Sequence, residues 1–363
     1  MEWFILLVPV LLSIFVAIKY PKQTVWWEFL VTFVVCAALL FGAKLLIISG
    51  ITTDTEYYTR YVARAEYREA YTDIILVPVT IGKTTTLQPR TVHHPAVWTA
   101  FSQNGDSRGI QEATYESLKA SWGSSAIKEG HRYTITWDGD IEKAQFMTTT
   151  GSYENRLQAT YTVYSLPEVS KEQHAKFQLQ DYPSTAGLAV QHILGEGGQY
   201  RDAAAQLLQH LNARHGAQKD FQCWIVIFRN QPEEAARLQE ALWEHGNRHE
   251  YVLCLGVDDK DVVRWSKAFS WTKEEALINY GKEVVTLGST LDLVSVVQSL
   301  DKALAGSWIP RDFSEFSYIQ VDVPIWGLIV IGIVTTLGGI ITLYWAVNNE
   351  IHDKQSAPNP YQR

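Results

Sequence analysis

Three apolar stretches frame a long polar body in this chain. They cover residues 3–18, 25–49 and 324–347, and the body between them runs from about Thr52 to Val321. A membrane-spanning helix needs roughly 20 mostly apolar residues, a length that the second and third stretches reach and the first approaches. Because only residues 19–24 separate the first two stretches, we expect an N-terminal helical hairpin and a single transmembrane helix near the C-terminus.

Basic residues predict how these helices are oriented. Lys19 and Lys22 lie in the short loop of the hairpin, and Lys354 and Arg363 lie in the C-terminal tail. Because cytoplasmic flanks are enriched in Lys and Arg, we expect both regions in the cytoplasm. The three arginines within 60–68 favour the reverse orientation. Large domains, however, translocate largely regardless of their charge. We therefore expect a multi-pass protein of the inner (plasma) membrane with three segments, a periplasmic or extracytoplasmic large domain and a cytoplasmic tail.

The first half of the body shows the period-two alternation of β-strands. Between Tyr57 and Tyr71, tyrosine, threonine and alanine recur at odd positions while arginine and glutamate recur at even positions. Residues 131–137 and 153–166 repeat the alternation. Asp138 and Gly139 have the composition of a hairpin turn into a further strand at 145–150. These patterns predict a β-rich domain.

Two segments interrupt this predicted sheet. Residues 110–122 have the pattern of a helix that Gly123 ends. The proline- and threonine-rich run from Pro78 to Pro95 predicts a long loop or an irregular hairpin. The chain contains 13 Trp and 18 Tyr, most of them in the body, which favours a sheet-rich portion or an aromatic contact surface.

The second half of the body alternates strands with helices. Two continuous apolar runs, at 221–228 and 251–257, have the length and composition of strands that are covered on both faces. Helical patterns lie around them, at 201–215, from Pro232 to Gly246, and at 290–304. Strands that alternate with helices in this way indicate a βαβ layer.

The predicted fold class is α+β / α/β. We expect a membrane-anchored chain in which a β-rich first half is followed by an α/β (βαβ) layer domain, with the N-terminal helical hairpin and the C-terminal transmembrane helix at its ends. The predicted boundaries are residues 1–50 for the hairpin, 51–170 for the β-rich domain, 171–320 for the α/β domain, 321–348 for the last helix and 349–363 for a short tail.

Composition limits the partners and the covalent chemistry. The net charge is −8 and no local basic stripe is visible, which argues against a nucleic-acid surface. Cys36 lies in an apolar stretch, whereas Cys223 and Cys254 lie in the two strand-like runs. Buried free thiols are the favoured interpretation of the last two, and a disulfide between them is the alternative if the body lies outside the cytoplasm. No pair of cysteines has the spacing of metal ligands.

Four pieces within residues 207–269 follow one another: the helix LLQHLNARHG, the strand QCWIVIF, the helix end LWEHGN and the strand EYVLCLGVDDKDVVRW. In these pieces the segment resembles the TPM-domain family of membrane-tethered extracytoplasmic proteins. The resemblance implies an α/β/α fold and, since some members bind calcium and some are phosphatases, either of those activities. The whole chain is also similar in style to uncharacterised phage and bacterial membrane proteins, for example at 153–165 and 308–316, which implies no defined activity.

Three aspartates are the sharpest candidates for chemistry. Asp258, Asp259 and Asp261 follow a predicted buried strand, and ligands of α/β sheets gather at the carboxyl ends of strands. Three carboxylates within four residues can bind a divalent cation such as calcium through oxygen. The favoured alternative is that Asp258 or Asp259 caps a following helix. We predict no other cofactor and no catalytic residue.

The remaining polar motifs favour structural roles. His245 and His249 are four residues apart, but Gly246 and Asn247 intervene, so a solvated turn is the favoured interpretation. The pair at 93–94 is expected in an exposed loop. Gly195, Gly197 and Gly198 precede a helix without a strand before them, which predicts a linker.

These observations favour an interaction or assembly protein over an enzyme. We expect a non-enzymatic accessory or structural subunit of a membrane complex, with the lipid bilayer and other membrane or extracytoplasmic proteins as partners, and a homo-oligomer as a further option. The alternative is a metal-dependent, phosphatase-like hydrolase of the TPM-domain type that uses the three aspartates.

Overall fold

A computed structural model describes residues 2–21, 24–81, 84–160, 166–185 and 187–348, and it shows a mixed α+β fold. Lys22 and residues 349–363, on which the orientation prediction partly depends, lie outside the described residues. The chain divides into two compact units. The first contains residues 1–54, 154–165 and 314–363, and the second contains residues 55–153 and 166–313.

Apolar helices dominate the first unit. They are α1 (Leu7–Lys19), α2 (Trp26–Thr52) and α9 (Ile325–Asn348), with a short 3-10 helix (Glu2–Leu6) before α1. By length and composition α2 and α9 can each cross a membrane, with mean hydropathies of 2.5 and 2.1. The apolar helical segment Phe4–Lys19 is shorter than a span. Only 17% and 22% of the apolar windows of α2 and α9 are buried, so most of their apolar side chains face outward.

The two long helices pack through stripes of residues four apart. On α2 the buried positions in the first four turns are Glu28, Thr32, Cys36 and Leu40. On α9 they are Gly327, Ile331, Thr335, Gly339, Leu343 and Ala346. Residues four apart lie on one helix face, and small residues on such a face let backbones approach closely. A Cβ atom on Gly327 would lie 3.1 Å from the Ile47 side chain of α2, tighter than an ordinary van der Waals contact.

An antiparallel sheet begins the second unit. Its strands are β1 (Thr53–Arg68), β4 (Val97–Ser102), β5 (Ser107–Ile110), β6 (Ile127–Glu129), β7 (Arg132–Thr136) and β8 (Phe146–Glu154). The strand order is β5-β4-β1-β7-β6, with β8 also paired to β1. Helix α3 (Glu112–Trp122) ends at the left-handed Gly123, as predicted, and packs Tyr115, Leu118 and Trp122 into the core of this sheet.

Two sequence-based expectations for this sheet are wrong. Asp138 and Gly139 do not form a hairpin turn, because β7 and β8 both pair with β1 rather than with each other. The strand predicted at 153–166 ends at Glu154; residues 155–160 form turns and 161–165 lie outside the described residues. Strand β7 has the predicted alternation, but it pairs with β1, which lies far away in sequence.

A long two-stranded arm follows β1. It consists of β2 (Tyr71–Ile81) and β3 (Thr84–His94), which pair in unbroken antiparallel register from Tyr71 opposite His94 to Ile81 opposite Thr84. The long loop predicted from Pro78 to Pro95 is therefore wrong, and the hairpin given as its alternative is regular rather than irregular. A two-stranded sheet tolerates Pro78 and Pro89 because both of its strands are edge strands.

A second sheet supports the α/β part. Its strands are β9 (Ile193–Leu194), β10 (Gln222–Arg229), β11 (Glu250–Val257) and β12 (Val263–Ser270), in the order β12-β11-β10-β9. The first three are parallel and β12 is antiparallel to β11. As the apolar runs predicted, β11 is buried at every position and β10 at all but its last.

Helices cover both faces of this second sheet. Helices α5 (Arg201–Lys219) and α8 (Leu293–Ser307) pack with one face, and α6 (Glu234–Leu242) packs with the other. The short helices α4 (Lys171–Phe177) and α7 (Glu275–Tyr280) complete this part. Cys223 and Cys254 belong to the two opposite cores and are free thiols, so the disulfide alternative is wrong.

A buried ion pair joins β1 to the second sheet. The Glu56 carboxylate is 3% exposed and accepts two hydrogen bonds from the Arg248 guanidinium, at 2.8 and 2.9 Å. His249 Nδ1 lies 3.2 Å from Glu56, and His249 Nε2 lies 2.8 Å from the Tyr57 carbonyl oxygen. Both ring nitrogens of His249 face acceptors, so only the doubly protonated ring can donate to both. The Tyr58 ring stacks on His249 with 4.3 Å between centroids.

A neutral cluster extends this contact further along β1. The Thr59 amide donates to Gln222 Oε1 at 3.1 Å, and Gln222 Nε2 donates to Thr59 Oγ1 at 3.1 Å. His192 Nε2 lies 3.1 Å from the same hydroxyl and also bonds Gln222. Complete burial lowers the pKa of His192 to about 3, so the ring is neutral. The ion pair and this cluster together fix the position of β1 against the second sheet.

We predict that the Glu56 ion pair makes the fold acid-sensitive. Burial opposes ionisation of Glu56, but hydrogen bonds from His249 and Arg248 outweigh it and lower its pKa to about 2. Because the folded-state pKa lies below the ordinary value of about 4.3, the stabilisation of about 3 kcal/mol is present above about pH 5 and is lost as the pH falls toward 2. Glu56→Gln should cost about 3 kcal/mol or more at neutral pH and flatten the melting temperature between pH 5 and 3.

Thermal unfolding followed by tryptophan fluorescence measures this effect. The matched control is Glu154→Gln, which removes a 2.8 Å pair with Arg156 whose carboxylate is 55% exposed, and exposed pairs contribute less than about 1 kcal/mol. Equal melting temperatures for the two variants at pH 7 would contradict the assignment.

Candidate functional site

The three predicted aspartates lie in the turn between β11 and β12. This turn follows the carboxyl end of a buried parallel strand, as the sequence predicted. The segment that follows is the antiparallel strand β12 rather than a helix, so the helix-capping interpretation of Asp258 and Asp259 is wrong. The error arose because the run Asp258–Asp261 resembles a helix start, whereas the left-handed backbone of Asp261 (φ 57°) turns the chain back along β11.

Each aspartate binds a different partner. Asp258 accepts the amides of Lys260 and Val262 at 2.9 Å and pairs with Arg264 at 2.5 Å. The hydrogen bond from the Val262 amide, with those from Lys260 and Arg264, lowers the pKa of Asp258. Asp261 and Asp259 bind two consecutive residues at the end of β10. Asp261 pairs with Arg229 at 2.7 Å, and Asp259 accepts a hydrogen bond from the side-chain amide of Asn230 at 2.5 Å.

The three carboxylates therefore hold the loops together rather than converge on one point. Across the described ranges, no three or more His, Cys, Asp or Glu side chains form a group that could hold a metal ion. Calcium binding by Asp258, Asp259 and Asp261 stays a prediction.

A glycine-rich loop adjoins the aspartates at the same edge of the sheet. Gly195, Gly197 and Gly198 connect β9 to α5, so a strand does precede them and the linker interpretation is wrong. Strand β9 is only two residues long, too short to produce a sequence pattern. All three glycines have positive φ, and a Cβ on Gly195 would lie 1.9 Å from the Ile227 carbonyl oxygen. Because Gly195 has no side chain, the loop can lie directly against β10 at this position.

A polar cleft of about 500 Å³ opens beside this loop. Its polar lining residues are Gln178, Gln180, Glu196, Arg229, Asn230 and Gln231. Arg229 is already bound to Asp261 and to the Asp258 carbonyl oxygen. The amides and the one carboxylate can hydrogen-bond a polar ligand. Among the lining residues in the described part of the chain there is no His, Cys, Ser or Thr to act as a nucleophile or base.

The histidines have structural partners. His249 is fully buried in the ion pair with Glu56, so the solvated turn expected there is wrong for this residue. His245 bonds Glu240 at 2.5 Å and faces the Ser270 carbonyl oxygen at 3.2 Å. His93 and His94 belong to β3 rather than to a loop. His93 bonds Thr72 at 2.9 Å, and His94 stacks on Tyr71.

The arm formed by β2 and β3 is the feature that sequence reasoning missed. Residues directly opposite each other in the register share a side of the arm. One side, which we call the open face, carries Ile74, Leu76, Pro78, Leu87 and Pro89 together with four threonines and His93, and all ten residues are exposed. Ile74, Leu76 and Leu87 are 67%, 61% and 64% exposed. Three large apolar side chains are therefore grouped on one exposed face of the arm.

The base of the arm is fixed by stacked rings. Tyr71 lies between His94 and His131, with ring centroids 4.4 and 4.3 Å away and nearly parallel planes. His131 in turn pairs with Glu69 at 3.0 Å, at the end of the chain segment that leads out of β1. The side of the arm opposite to the open face is half-buried at Val77, Val79 and Val92. The open face is therefore the more exposed of the two sides of the arm.

We predict that the glycine loop tolerates no side chain at its first position. Gly195→Ala places a Cβ against the Ile227 backbone, whereas Gly288 has a similar φ (+83°) and nothing within 4 Å. Both substitutions carry the left-handed penalty of about 1 kcal/mol. Gly195→Ala should cost about 2 kcal/mol more because of overpacking. Chemical denaturation of the two variants measures the difference, and equal stabilities would show that the loop does not contact β10.

We predict that Asp258 stabilises its turn without metal. Asp258→Ala removes the acceptor of two amides and one guanidinium, so it should lower the melting temperature equally in EDTA and in millimolar calcium. Asp259→Ala, which removes a single side-chain contact, is the matched control and should lower it less. A calcium-dependent rise of the wild-type melting temperature that Asp258→Ala and Asp259→Ala both lose would instead support the hydrolase alternative.

Comparison of the chain with known protein families, with curated proteins and with solved structures finds no match. The resemblance of residues 207–269 to the TPM-domain family therefore stays a prediction.

Proposed function

We propose that this chain is a membrane-anchored interaction or assembly protein, a non-enzymatic subunit of a membrane complex. The open face of the arm is the observation that carries this proposal. The helices α2 and α9 supply the anchor, and the second unit supplies the folded base on which the arm stands.

The anchoring proposal rests on the surfaces of the helices. A core helix of a soluble protein is mostly buried, but α2 and α9 leave most of their apolar surface outside the packing stripe. Exposed large side chains occur along both helices, for example Leu46 at 76% and Ile341 at 65%. Apolar surface of this extent is unfavourable in water and favourable in lipid.

The helices α2 and α9 run antiparallel. Trp27 and Glu28 at the start of α2 line a groove with Ile341 and Trp345 near the end of α9, while Gly327 at the start of α9 approaches Ile47. The chain segment between the two helices therefore leaves and re-enters at the same end of the pair. With Lys19 at the opposite end, the positive-inside rule favours an extracytoplasmic body, which we include in the proposal.

The interaction proposal rests on the arm. Isolated two-stranded hairpins are marginally stable in water, and apolar residues on their exposed faces make them less soluble. Here Ile74, Leu76 and Leu87 are presented on a hairpin whose base is fixed by Tyr71. An arm of this kind gains stability when a second surface covers its open face.

We predict that polar substitutions on the open face cause the proposed membrane complex to dissociate. Ile74→Thr, Leu76→Thr and Leu87→Thr keep β-forming side chains and remove apolar area. Each large apolar side chain contributes about 1.5 kcal/mol when it is buried, so the triple variant should weaken association on the order of a thousandfold. The measurement is the particle mass, and the identity of its chains, after purification in mild detergent.

The matched control is Ile75→Thr with Val77→Thr, which makes the same change on the other side of the arm. This variant should keep the particle mass of the wild type. The proposed function would be overturned if the wild-type chain purified in detergent as a monomer without other chains and was also a monomer in membranes.

A further inference from the structure

We propose that the polar cleft beside the glycine loop binds an uncharged ligand rich in hydroxyl groups, namely a saccharide unit. The inference does not depend on the arm, so it goes beyond the proposed function. It rests on three observations: the paths of the chain at the carboxyl ends of β9 and β10, the side-chain amides that line the cleft without a partner, and the charges around it.

The cleft lies where the chain leaves two neighbouring strands toward opposite faces of the second sheet. The glycine loop leads from β9 to α5, which packs into the core of one face through Ala204, Leu208 and Leu211. The loop after β10 leads to α6, whose Ala235 and Ala236 belong to the core of the other face. Loops that diverge in this way leave a crevice outside the carboxyl ends of parallel strands, and such crevices bind the ligands of open α/β sheets.

Contacts within the protein hold the walls of this crevice in place. A Cβ atom on Gly197 would lie 2.8 Å from Asp261 Oδ1, so the glycine loop closely contacts the aspartate turn. On the α6 side, the Gln180 carbonyl oxygen accepts hydrogen bonds from Gln239 Nε2 and Trp243 Nε1, both at 2.8 Å. The cleft volume of about 500 Å³ lies within the range of about 300–1,000 Å³ that pre-formed small-molecule sites occupy.

Several polar side chains of the lining have no partner. Within the described residues, the side chains of Gln178 and Gln231 make no hydrogen bond, and Glu196 makes neither a hydrogen bond nor an ion pair. Asn230 donates through Nδ2 to Asp259 and keeps its side-chain oxygen as an acceptor. A side-chain amide has two donors and an acceptor oxygen, and a hydroxyl group both donates and accepts. The lining therefore matches a ligand that carries several hydroxyl groups.

The charges around the cleft disfavour an ionic ligand. Arg229 already binds Asp261 at 2.7 Å and the Asp258 carbonyl oxygen at 3.0 Å, so its guanidinium is occupied. Glu196, the other charged group among the described lining residues, is an exposed carboxylate and repels phosphate or carboxylate groups. Its attraction for a cation is reduced by Arg201, with which it interacts electrostatically. An uncharged polar ligand avoids both conflicts.

The remaining lining residues suit the carbon skeleton of a sugar. Gly195 and Ile227 supply a small uncharged surface against which the C–H groups of a sugar ring can pack. A wholly apolar ligand would bury the amides and Glu196 without hydrogen bonds, which is unfavourable. A ligand with both C–H groups and hydroxyl groups uses both parts of the lining.

Saturation-transfer NMR on the full chain in lipid nanodiscs tests this inference. Nanodiscs replace glycoside detergents, because the sugar head groups of those detergents would compete for the cleft. The probes are neutral hexoses, N-acetylhexosamines and inositol, each offered separately. At least one of these probes should receive saturation from the wild-type protein, and its titration then gives a Kd.

Two variants test whether the binding takes place in the cleft. Gln178→Ala combined with Gln231→Ala removes two amides that make no hydrogen bond within the described residues, so the melting temperature should stay that of the wild type. Loss of two hydrogen bonds to the ligand should raise the Kd roughly tenfold. Glu196→Gln, which keeps the size of an exposed side chain, should raise the Kd severalfold. The matched control, Gln103→Ala with Gln191→Ala, removes the same groups at exposed positions outside the cleft and should leave the Kd unchanged.

The other outcomes overturn the inference in different ways. If no probe receives saturation from the wild-type protein, the cleft does not bind a saccharide unit. If both variants bind the sugar with the Kd of the wild type, the binding takes place elsewhere. If inorganic phosphate or ethanolamine, but no sugar, raises the wild-type melting temperature and the double variant loses this rise, the ligand is charged. None of these results changes the particle mass expected for the open-face variants, so the proposed function is tested separately.

Discussion

The ion pair between Glu56 and Arg248 is the contact on which the second unit depends. It lies where β1 meets the two residues that precede β11, and it is buried with His249 beneath the Tyr58 ring. A buried carboxylate without its partners costs several kcal/mol, so the chain cannot move β1 away from the second sheet without exposing or stranding this charge. The neutral cluster of Thr59, Gln222 and His192 fixes the same junction by hydrogen bonds that require one register.

This junction explains how the antiparallel sheet and the second, mainly parallel sheet behave as one compact unit. The antiparallel sheet presents β1 to the second sheet at one end, and the opposite, carboxyl end of the parallel strands holds the glycine loop and the aspartate turn. At that end Arg229 and Asn230 bind Asp261 and Asp259, so the charges that suggested a metal site cross-link two loops. Both ends of the parallel strands are therefore held by polar contacts, with the apolar cores between them.

The arm differs from the rest of the second unit, because the apolar side chains of its open face are not buried. Its base is stacked on the body through Tyr71, but its open face gains nothing from the fold of the chain that carries it. Apolar groups that a monomer leaves in water are stabilised only by a further surface. Most apolar side chains of α2 and α9 likewise lie outside the packing between those two helices.

The sequence by itself determined the elements that depend on local pattern: the apolar helices, the helix ended by Gly123, and the buried strands β10 and β11. Hydropathy and periodicity read these correctly because burial of the whole segment is required whatever its neighbours are. Tertiary structure alone decided that Asp258 precedes a strand, that a two-residue strand precedes Gly195, and that Pro78 and Pro89 belong to a regular arm. It also decided that Glu56 meets Arg248 across 192 positions of sequence separation. Strand pairing and buried ion pairs join residues whose sequence separation carries no periodic signal, so only the folded chain brings them together.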